Sequence, residues 1–352
     1  MTLEGSGYSV FLEDPEPSTA GPLLEIRKSP QRMVARFGVL SSGEPILPLE
    51  VNLHVPVLLR EVLEALSPKS GGIYFDGTLG GGGYAEAILE ASNPDGRLVG
   101  VDLDREAVAR SAKRLERFGE RFTPVHSGFH HARTILAELG IAALDGAVLD
   151  LGLSSYQLED AERGFSFQGT GPLDMRFDTT AGQSALEYLR KISVKQLEEI
   201  LATYGEERYS KKLARSLIVA RDRGELVTTQ DLARTVSRTL GGRREKIHPA
   251  TRTFQALRIA VNAELENLET ALEQIPLLLN KGGRFCVVSY HSLEHRAVKH
   301  SFQRKKPDVQ NWRILTPKPI KPSAEESRLN RRSRSAQMRV IEALSDMTAE
   351  LG

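Results

Sequence analysis

The chain has 352 residues, enough for about two domains of roughly 100–200 residues each. Hydrophobic residues make up 40% and charged residues 26%, which is typical of a protein with a sizeable core, and the formal net charge of +1 gives no overall sign of nucleic-acid binding. The single cysteine excludes a disulfide framework, and no apolar run reaches the ~18 residues that a transmembrane helix needs. Residues 1–16 contain acids but no Lys or Arg, so no secretory signal or mitochondrial presequence is expected and the default is a cytoplasmic enzyme.

The first 50 residues differ from the rest of the chain because prolines interrupt every periodic pattern. We therefore predict a poorly ordered leader over residues 1–50. Its prolines are Pro15, Pro17, Pro22, Pro30, Pro45 and Pro48. Helical spacing of apolar residues begins in 57–66, directly after Pro56, so the folded body is expected to begin near His54.

Strands and helices then alternate. The predicted strands are 72–76, 97–102, 122–126 and 147–151, and the predicted helices between them are 84–91, 105–118 and 131–139. Such alternation indicates βαβ units and a parallel sheet.

The alternation stops near residue 154 and resumes about 100 residues later. Residues 158–250 carry little strand signal and predict short helices at 184–189, 194–204, 210–223 and 229–240. A long helix at 253–274 and strands at 283–289, 312–315 and 337–342 follow. We therefore predict one α/β domain built from 51–157 and 251–345, with 158–250 as an all-helical insertion.

The strongest local motif is Asp76-Gly-Thr-Leu-Gly-Gly-Gly-Gly-Tyr84, between a predicted strand and a predicted helix. Glycines at such a position let the backbone approach a ligand closely. Asp102 ends the next strand, 20 residues after Gly82, a spacing that suits a carboxylate binding ribose hydroxyls. The motif predicts a nucleoside cofactor without identifying it. Gly80-x-Gly82-x-x-Ala85 also fits a dinucleotide fingerprint, which leaves a nucleotide-dependent dehydrogenase open.

The fourth predicted strand ends in Asp150-Leu-Gly-Leu-Ser-Ser-Tyr-Gln157. Ligands of open α/β sheets bind at the carboxyl ends of strands, so this segment should lie beside the cofactor, where a methyl acceptor would enter. A hydride transferase would more often present a His, Lys or Tyr paired with an acid. The alternative for Asp150 is a helix N-cap.

Three other features have two interpretations each. His291-x-x-Glu294-His295 matches a zinc-peptidase pattern, which keeps a zinc hydrolase as a minor alternative to a loop on the substrate side. Asp174 and Arg176 fit either a substrate pocket or a salt-bridged turn. Residues 296–340 contain 13 Lys and Arg against 3 acids, which fits an RNA contact or a solvated charged face.

The chain resembles the bacterial 16S ribosomal RNA cytosine-N4 methyltransferases that use S-adenosylmethionine. The resemblance is carried, besides 76–84 and 150–157, by six further segments: His54-Val-Pro-Val-Leu-Leu-Arg-Glu61, Glu162-Arg-Gly-Phe-Ser-Phe167, Gly171-Pro-Leu-Asp-Met-Arg176, His248-Pro-Ala-Thr-Arg-Thr-Phe-Gln-Ala-Leu-Arg258, Ser289-Tyr-His-Ser-Leu-Glu294 and Arg332-Ser-Arg-Ser335. It implies a Rossmann-like class I methyltransferase sheet with an inserted all-helical domain. It also implies methylation of 16S ribosomal RNA in the decoding region of the small subunit, with the insertion and the basic segment contacting RNA.

The resemblance further implies individual site residues. Those for S-adenosylmethionine are Gly82, Gly83, Tyr84, Asp102, Phe129, Asp150 and Gln157. Tyr84 departs from the histidine of many relatives, so a polar contact there must come from the phenol or the backbone. Asp150 is also the candidate catalytic residue, because DNA amino-methyltransferases place a polar acceptor at the end of strand four. The sulfonium leaving group is already activated, so no metal is expected.

Overall fold

The computed structural model describes residues 25–29, 32–36, 49–51, 56–241, 248–303 and 311–346. His54, where the folded body was predicted to begin, lies outside these residues. The chain divides into two units, Met1–Leu53 and His54–Gly352.

The first unit contains a small antiparallel sheet. Its strands are β1 (Glu25–Ser29), β2 (Arg32–Arg36) and β3 (Leu49–Val51), in the order β1-β2-β3. All three strands lie in, or at the edge of, the stretch that was predicted from the sequence to be a poorly ordered leader. The leader and its boundary at residue 50 stay a prediction.

The second unit is organised around a seven-stranded sheet. Its strands are β4 (Ile73–Asp76), β5 (Arg97–Asp102), β6 (Phe122–His126), β7 (Leu144–Asp150), β8 (Leu279–Ser289), β9 (Trp312–Ile314) and β10 (Gln337–Ala343). The strand order is β6-β5-β4-β7-β8-β10-β9; the first five strands are parallel and β10 is antiparallel to both neighbours. The predicted α/β fold is confirmed. The chain order reverses between β4 and β7, and such a switch point opens a ligand crevice at the carboxyl ends of the strands.

Thirteen helices are described. They are α1 (Leu59–Leu66), α2 (Gly83–Ala91), α3 (Arg105–Arg114), α4 (Ala132–Glu138), α5 (Ser155–Glu159), α6 (Ala185–Lys191), α7 (Val194–Thr203), α8 (Ser210–Asp222), α9 (Thr229–Leu240), α10 (Ala250–Asn262), α11 (Glu264–Gln274), α12 (Ser292–Gln303) and α13 (Ala324–Leu329). No helix in the described parts of the chain is long and apolar enough to cross a membrane.

Both faces of the sheet are buried, as is usual for a parallel sheet, and successive side chains of a strand point to opposite faces. In β8, Phe285 and Val287 pack on the face covered by α4, α11 and α12, whereas Cys286 and Val288 pack on the face covered by α1 and α2. Helices α6 to α10 share a separate core. The predicted bounds of the helical insertion, 158 and 250, stay predictions.

The prediction of one helix over 253–274 is wrong in one respect, because the helix is interrupted at Ala263, whose φ of 48° is left-handed. The break has a tertiary cause. Asn262 donates from Nδ2 to the Met175 carbonyl at 2.7 Å and accepts at Oδ1 from the Phe177 N–H at 2.7 Å. Glu264 turns back to pair with Arg258 at 2.7 Å.

Candidate active site

The glycine loop occupies residues 77–82, between β4 and α2. Gly80 (φ 50°) and Gly82 (φ 75°) are left-handed, a conformation that other residues adopt only with strain. At Gly77 a Cβ would collide with Leu149 and would lie 2.8 Å from Phe129 Cβ. The loop therefore packs closely on β7 and on the segment after β6.

Asp102, at the end of β5, holds this loop. Its Oδ2 accepts the Gly80 N–H and its Oδ1 accepts the Asp104 N–H, both at 2.8 Å. Burial raises the pKa of Asp102 to about 6, although these two backbone donors act in the opposite direction. The predicted ribose-binding acid thus lies at the loop and also fixes its backbone.

Asp76 ends β4 and is fully buried. Its Oδ1 accepts the Thr78 N–H at 3.1 Å, and its Oδ2 has no hydrogen-bonding partner among the described residues. Burial, together with the nearby Asp102, raises the pKa of Asp76 to about 7. Asp76 opens the glycine motif, but no role was predicted for it from the sequence. The sequence does carry an indication of a role, because Asp76 is an acid at the end of an apolar strand, directly before the glycines.

Asp150 ends β7, the neighbour of β4. Its backbone N–H donates to Thr78 Oγ1 at 2.6 Å, and its Oδ1 accepts the Tyr290 hydroxyl at 2.6 Å. Burial raises the pKa of Asp150 to about 7. The N-cap alternative for Asp150 is wrong, because α5 is capped by Ser154 in a capping box with Gln157.

Three carboxyl groups therefore meet at the ends of β4, β5 and β7. None of Asp76, Asp102 and Asp150 forms an ion pair with a side chain in the described ranges. Burial raises the pKa of each of these carboxyl groups, and a positively charged ligand would stabilise their ionised form. The orphaned Oδ2 of Asp76 is a ready acceptor for such a ligand.

The remaining predicted cofactor residues have different environments. Gly82 and Gly83 form the N-terminus of α2, and Phe129 packs beside Gly77. Tyr84 is 4% exposed and its hydroxyl donates to the Val57 carbonyl, so its backbone alone remains for a ligand. Gln157 accepts the Ser154 N–H through Oε1 at 3.0 Å and donates from Nε2 to Asp104 at 3.2 Å. The side chain of Gln157 is therefore connected to the site through its hydrogen bond to Asp104.

Arg163 was missed by the sequence analysis and links the site to the following segment. Its Nη1 lies 2.7 Å from Asp104 Oδ2, and its Nη2 donates to the Arg176 carbonyl at 3.1 Å and the Phe177 carbonyl at 2.9 Å. Asp174 and Arg176 form an ion pair of 2.7 Å within the same turn, which is the salt-bridged alternative.

The zinc-peptidase pattern does not assemble its two histidines. His295 Nδ1 lies 2.7 Å from Ser289 Oγ, whereas His291 Nε2 lies 3.0 Å from Glu294 Oε1. Among the residues described, the side chains close enough to share a metal are Glu264, His291 and Glu294. Arg258 already pairs with both oxygens of Glu264, at 2.7 and 2.9 Å, which disfavours a cation there.

The basic C-terminal segment contacts α5, the helix that follows Asp150 in the chain. The Arg332 guanidinium donates to Ser155 Oγ at the start of α5 and lies 3.6 Å from Glu159. Arg331 and Arg334 are exposed. The middle of the segment, 304–310, falls outside the described residues.

Comparison with known proteins identifies close relatives. The profile of the MraW methylase family matches residues 51–344. A protein named "Ribosomal RNA small subunit methyltransferase H" from Trichlorobacter lovleyi is 47% identical over 310 residues, covering 83% of this chain and 98% of the relative. Proteins of the same name from Thermomicrobium roseum and Sorangium cellulosum are 46% and 48% identical, over 83% and 81% of this chain and 94% and 89% of the relatives.

Proposed function

We propose that this chain, which belongs to the MraW methylase family, methylates the exocyclic N4 of a cytosine in 16S ribosomal RNA, in the decoding region of the small subunit. The relatives are named as ribosomal RNA small subunit methyltransferases, which supports the RNA substrate. The choice of cytosine N4 rests on the resemblance of the quoted motifs and on the acceptor group at the end of β7. Membership of a methylase family excludes the dehydrogenase and zinc-hydrolase alternatives.

The observation that carries the proposal within the site is the set of three acids at the ends of β4, β5 and β7, Asp76, Asp102 and Asp150, whose pKa values burial raises and none of which forms an ion pair with a described side chain. S-adenosylmethionine carries a sulfonium and an ammonium group, and both would stabilise ionised carboxylates. A dinucleotide would instead bring two negatively charged phosphates to the same loop.

The residues present fit S-adenosylmethionine. The backbone of Gly82 and Gly83 would hold it at the N-terminus of α2, Asp102 would bind its ribose hydroxyls and Phe129 would pack on its adenine. The unpaired Oδ2 of Asp76 would accept its ammonium group. When bound, the cofactor supplies a methyl group on a positively charged sulfur, which becomes a neutral thioether when the methyl group departs.

Asp150 is the proposed proton acceptor. The N4 amine is a poor nucleophile because its lone pair is delocalised into the ring. A carboxylate that accepts one N–H bond opposes this delocalisation and then takes the proton that the nitrogen must lose as its new bond to carbon forms. Asp150 Oδ1 is engaged by Tyr290, and Oδ2 has no hydrogen bond to any described residue, so Oδ2 is the oxygen for the amine.

RNA binding is assigned to two regions that carry exposed cations. Lys211, Lys212 and Arg215 on α8 are exposed, and Arg331 and Arg334 are exposed in the basic segment that contacts α5. Such groups neutralise phosphates, while the target base must be unstacked to reach Asp150. We assign the reaction to the cytoplasm and to RNA within the small ribosomal subunit.

The test uses 16S ribosomal RNA and small subunits from cells that lack this protein. The purified enzyme is incubated with S-adenosylmethionine and either substrate, and the nucleosides are analysed by mass spectrometry. We expect N4-methylcytidine, with more product from the assembled subunit. A methyl group on a ring carbon, or on another base, would contradict the proposal.

A further inference from the structure

We propose that Tyr290 is a positioning residue for methyl transfer: its hydroxyl holds Asp150 by one carboxylate oxygen and so presents the other oxygen to the target amine. The inference deepens the proposed function and rests on it. No role for Tyr290 is predicted from the sequence, in which it lies between a buried strand and the following helix.

The first support is the contact itself. The Tyr290 hydroxyl lies 2.6 Å from Asp150 Oδ1, between residues 140 positions apart in the chain. The same aspartate is anchored through its backbone by Thr78 Oγ1 at 2.6 Å. The backbone and one carboxylate oxygen of Asp150 are therefore both fixed, which restricts rotation of the side chain and defines the direction in which Oδ2 points.

The second support is that Tyr290 is itself held in place. Glu294 Oε2 accepts the N–H of Tyr290 at 2.7 Å and the N–H of His291 at 3.3 Å. Glu294 is 3% exposed, and its other oxygen lies 3.0 Å from His291 Nε2. The Tyr290 ring also lies near Gly152, where a Cβ would be 3.5 Å from Tyr290 Cδ2. The ring thus lies against the turn that follows Asp150.

The third support is electrostatic. The titratable groups that face Asp150 are Asp76 from β4, Tyr84 from α2, Glu294 from α12 and Tyr290. Burial and the two acids raise the pKa of Asp150, whereas the hydrogen bond from Tyr290 lowers it. Tyr290 is therefore the neighbour that favours the ionised carboxylate, which is the form that accepts a proton.

Tyr290→Phe tests the proposal because it removes the hydroxyl and keeps the ring. The readout is the single-turnover rate of methyl transfer at saturating S-adenosylmethionine, measured from pH 6 to pH 9. Loss of a hydrogen bond to a charged group should move the acidic limb of the profile upward by about one to two pH units. At pH 7 the rate should fall about 5- to 50-fold, and it should largely recover at pH 9.

Tyr74→Phe is the matched control. Tyr74 is 1% exposed on β4, and its hydroxyl accepts the Lys69 N–H at 2.8 Å, away from the carboxyl end of the strand. This variant loses an equally buried hydroxyl and should leave the acidic limb where it is in the wild type. Thermal unfolding of both variants confirms that they are folded.

A double mutant separates action through Asp150 from a general structural effect. In an Asp150→Asn background, Tyr290→Phe should change the remaining rate by less than about twofold, because coupled residues are not additive. An unmoved acidic limb, or full additivity with Asp150→Asn, would overturn the role of Tyr290 and leave the proposed function intact. A wild-type enzyme that transfers no methyl group to a cytosine amine would overturn both.

Discussion

Replacing Asp76 by Asn should stabilise the ligand-free protein at pH 8 while weakening its binding of S-adenosylmethionine. The expectation follows from the geometry of this residue. Its side chain is fully buried, and only Oδ1 has a hydrogen-bonding partner among the described residues. At pH 8 the folded protein must keep a buried negative charge that nothing neutralises until a ligand binds.

The magnitude follows from linkage between ionisation and folding. Burial raises the pKa of Asp76 from 3.8 to about 7. The contribution of this group to the free energy of unfolding is therefore fully present below pH 3.8 and is lost as the pH rises through 7. At about 1.4 kcal/mol per pH unit, the ionised form costs about 4 kcal/mol at pH 8. The Asn amide replaces Oδ2 with a donor that lacks an acceptor, at a cost of about 1–3 kcal/mol. The net gain should be about 1–3 kcal/mol at pH 8. At pH 5 the gain should disappear, because Asp76 is then protonated in the folded protein and its unfavourable effect on stability is only about 1–2 kcal/mol.

Urea unfolding of the ligand-free protein at pH 8 and pH 5 measures this difference. Calorimetry at pH 8 measures the affinity of the variant for S-adenosylmethionine and for S-adenosylhomocysteine. Both ligands carry the ammonium group, but only the first carries the sulfonium charge. The variant should therefore lose affinity for both and lose more for S-adenosylmethionine.

Asp145→Asn is the matched control, at the start of the neighbouring strand. Asp145 lies 2.9 Å from Lys69 Nζ and accepts the Ile73 N–H at 3.0 Å, so its charge is compensated. This variant should lose stability at pH 8. If Asp76→Asn instead destabilises the protein to the same extent at pH 8 and pH 5, the electrostatic account of the site is refuted.

Three further variants test the site. Asp102→Ala should lower the affinity for S-adenosylhomocysteine about 10- to 150-fold, and unchanged binding in calorimetry would remove Asp102 from the cofactor site. Asp150→Asn should lower the single-turnover rate at saturating cofactor by roughly 10²–10⁴-fold, whereas a near-normal rate would leave Asp150 as a cofactor ligand only. Replacing Arg331, Arg332 and Arg334 by Ala should reduce the salt dependence of RNA binding by about 0.7 in slope per lost contact without changing cofactor binding; an unaltered slope would assign these arginines to a solvated or structural face.

Much of the fold could be predicted because it is encoded in local periodicity. The five parallel strands of the main sheet read as short apolar runs, and the glycines after β4 identified the ligand loop. Acids at strand ends were informative for a topological reason, since parallel strands bring their carboxyl ends to one edge. Asp102 and Asp150 could therefore be assigned to the same site without knowledge of their contacts.

The features that were missed depend on pairs distant in sequence. No local pattern connects Tyr290 with Asp150, or Arg163 with Asp104, and the break at Ala263 reflects the contacts of Asn262 with the 175–177 turn. The start of β8 was predicted at 283, whereas the strand begins at Leu279; the pairing of β7 with β8 has a register irregularity between Leu144 and Gly146, which a sequence pattern does not show. Contacts between segments distant in sequence decided each of these points.

The position of β10 has a consequence for how the enzyme matures during synthesis. β10 is the last strand in sequence, yet it lies between β8 and β9, and Gln337 pairs with Ser289, the residue before Tyr290. A growing chain is made from its N-terminus, so β8 has an unpaired edge until residues 337–343 have been translated. Until then the glycine loop is already present, but the edge of β8 beside Tyr290 lacks its partner strand. A chain that ends before β10 therefore exposes the edge of β8, and an unpaired strand edge is prone to aggregation.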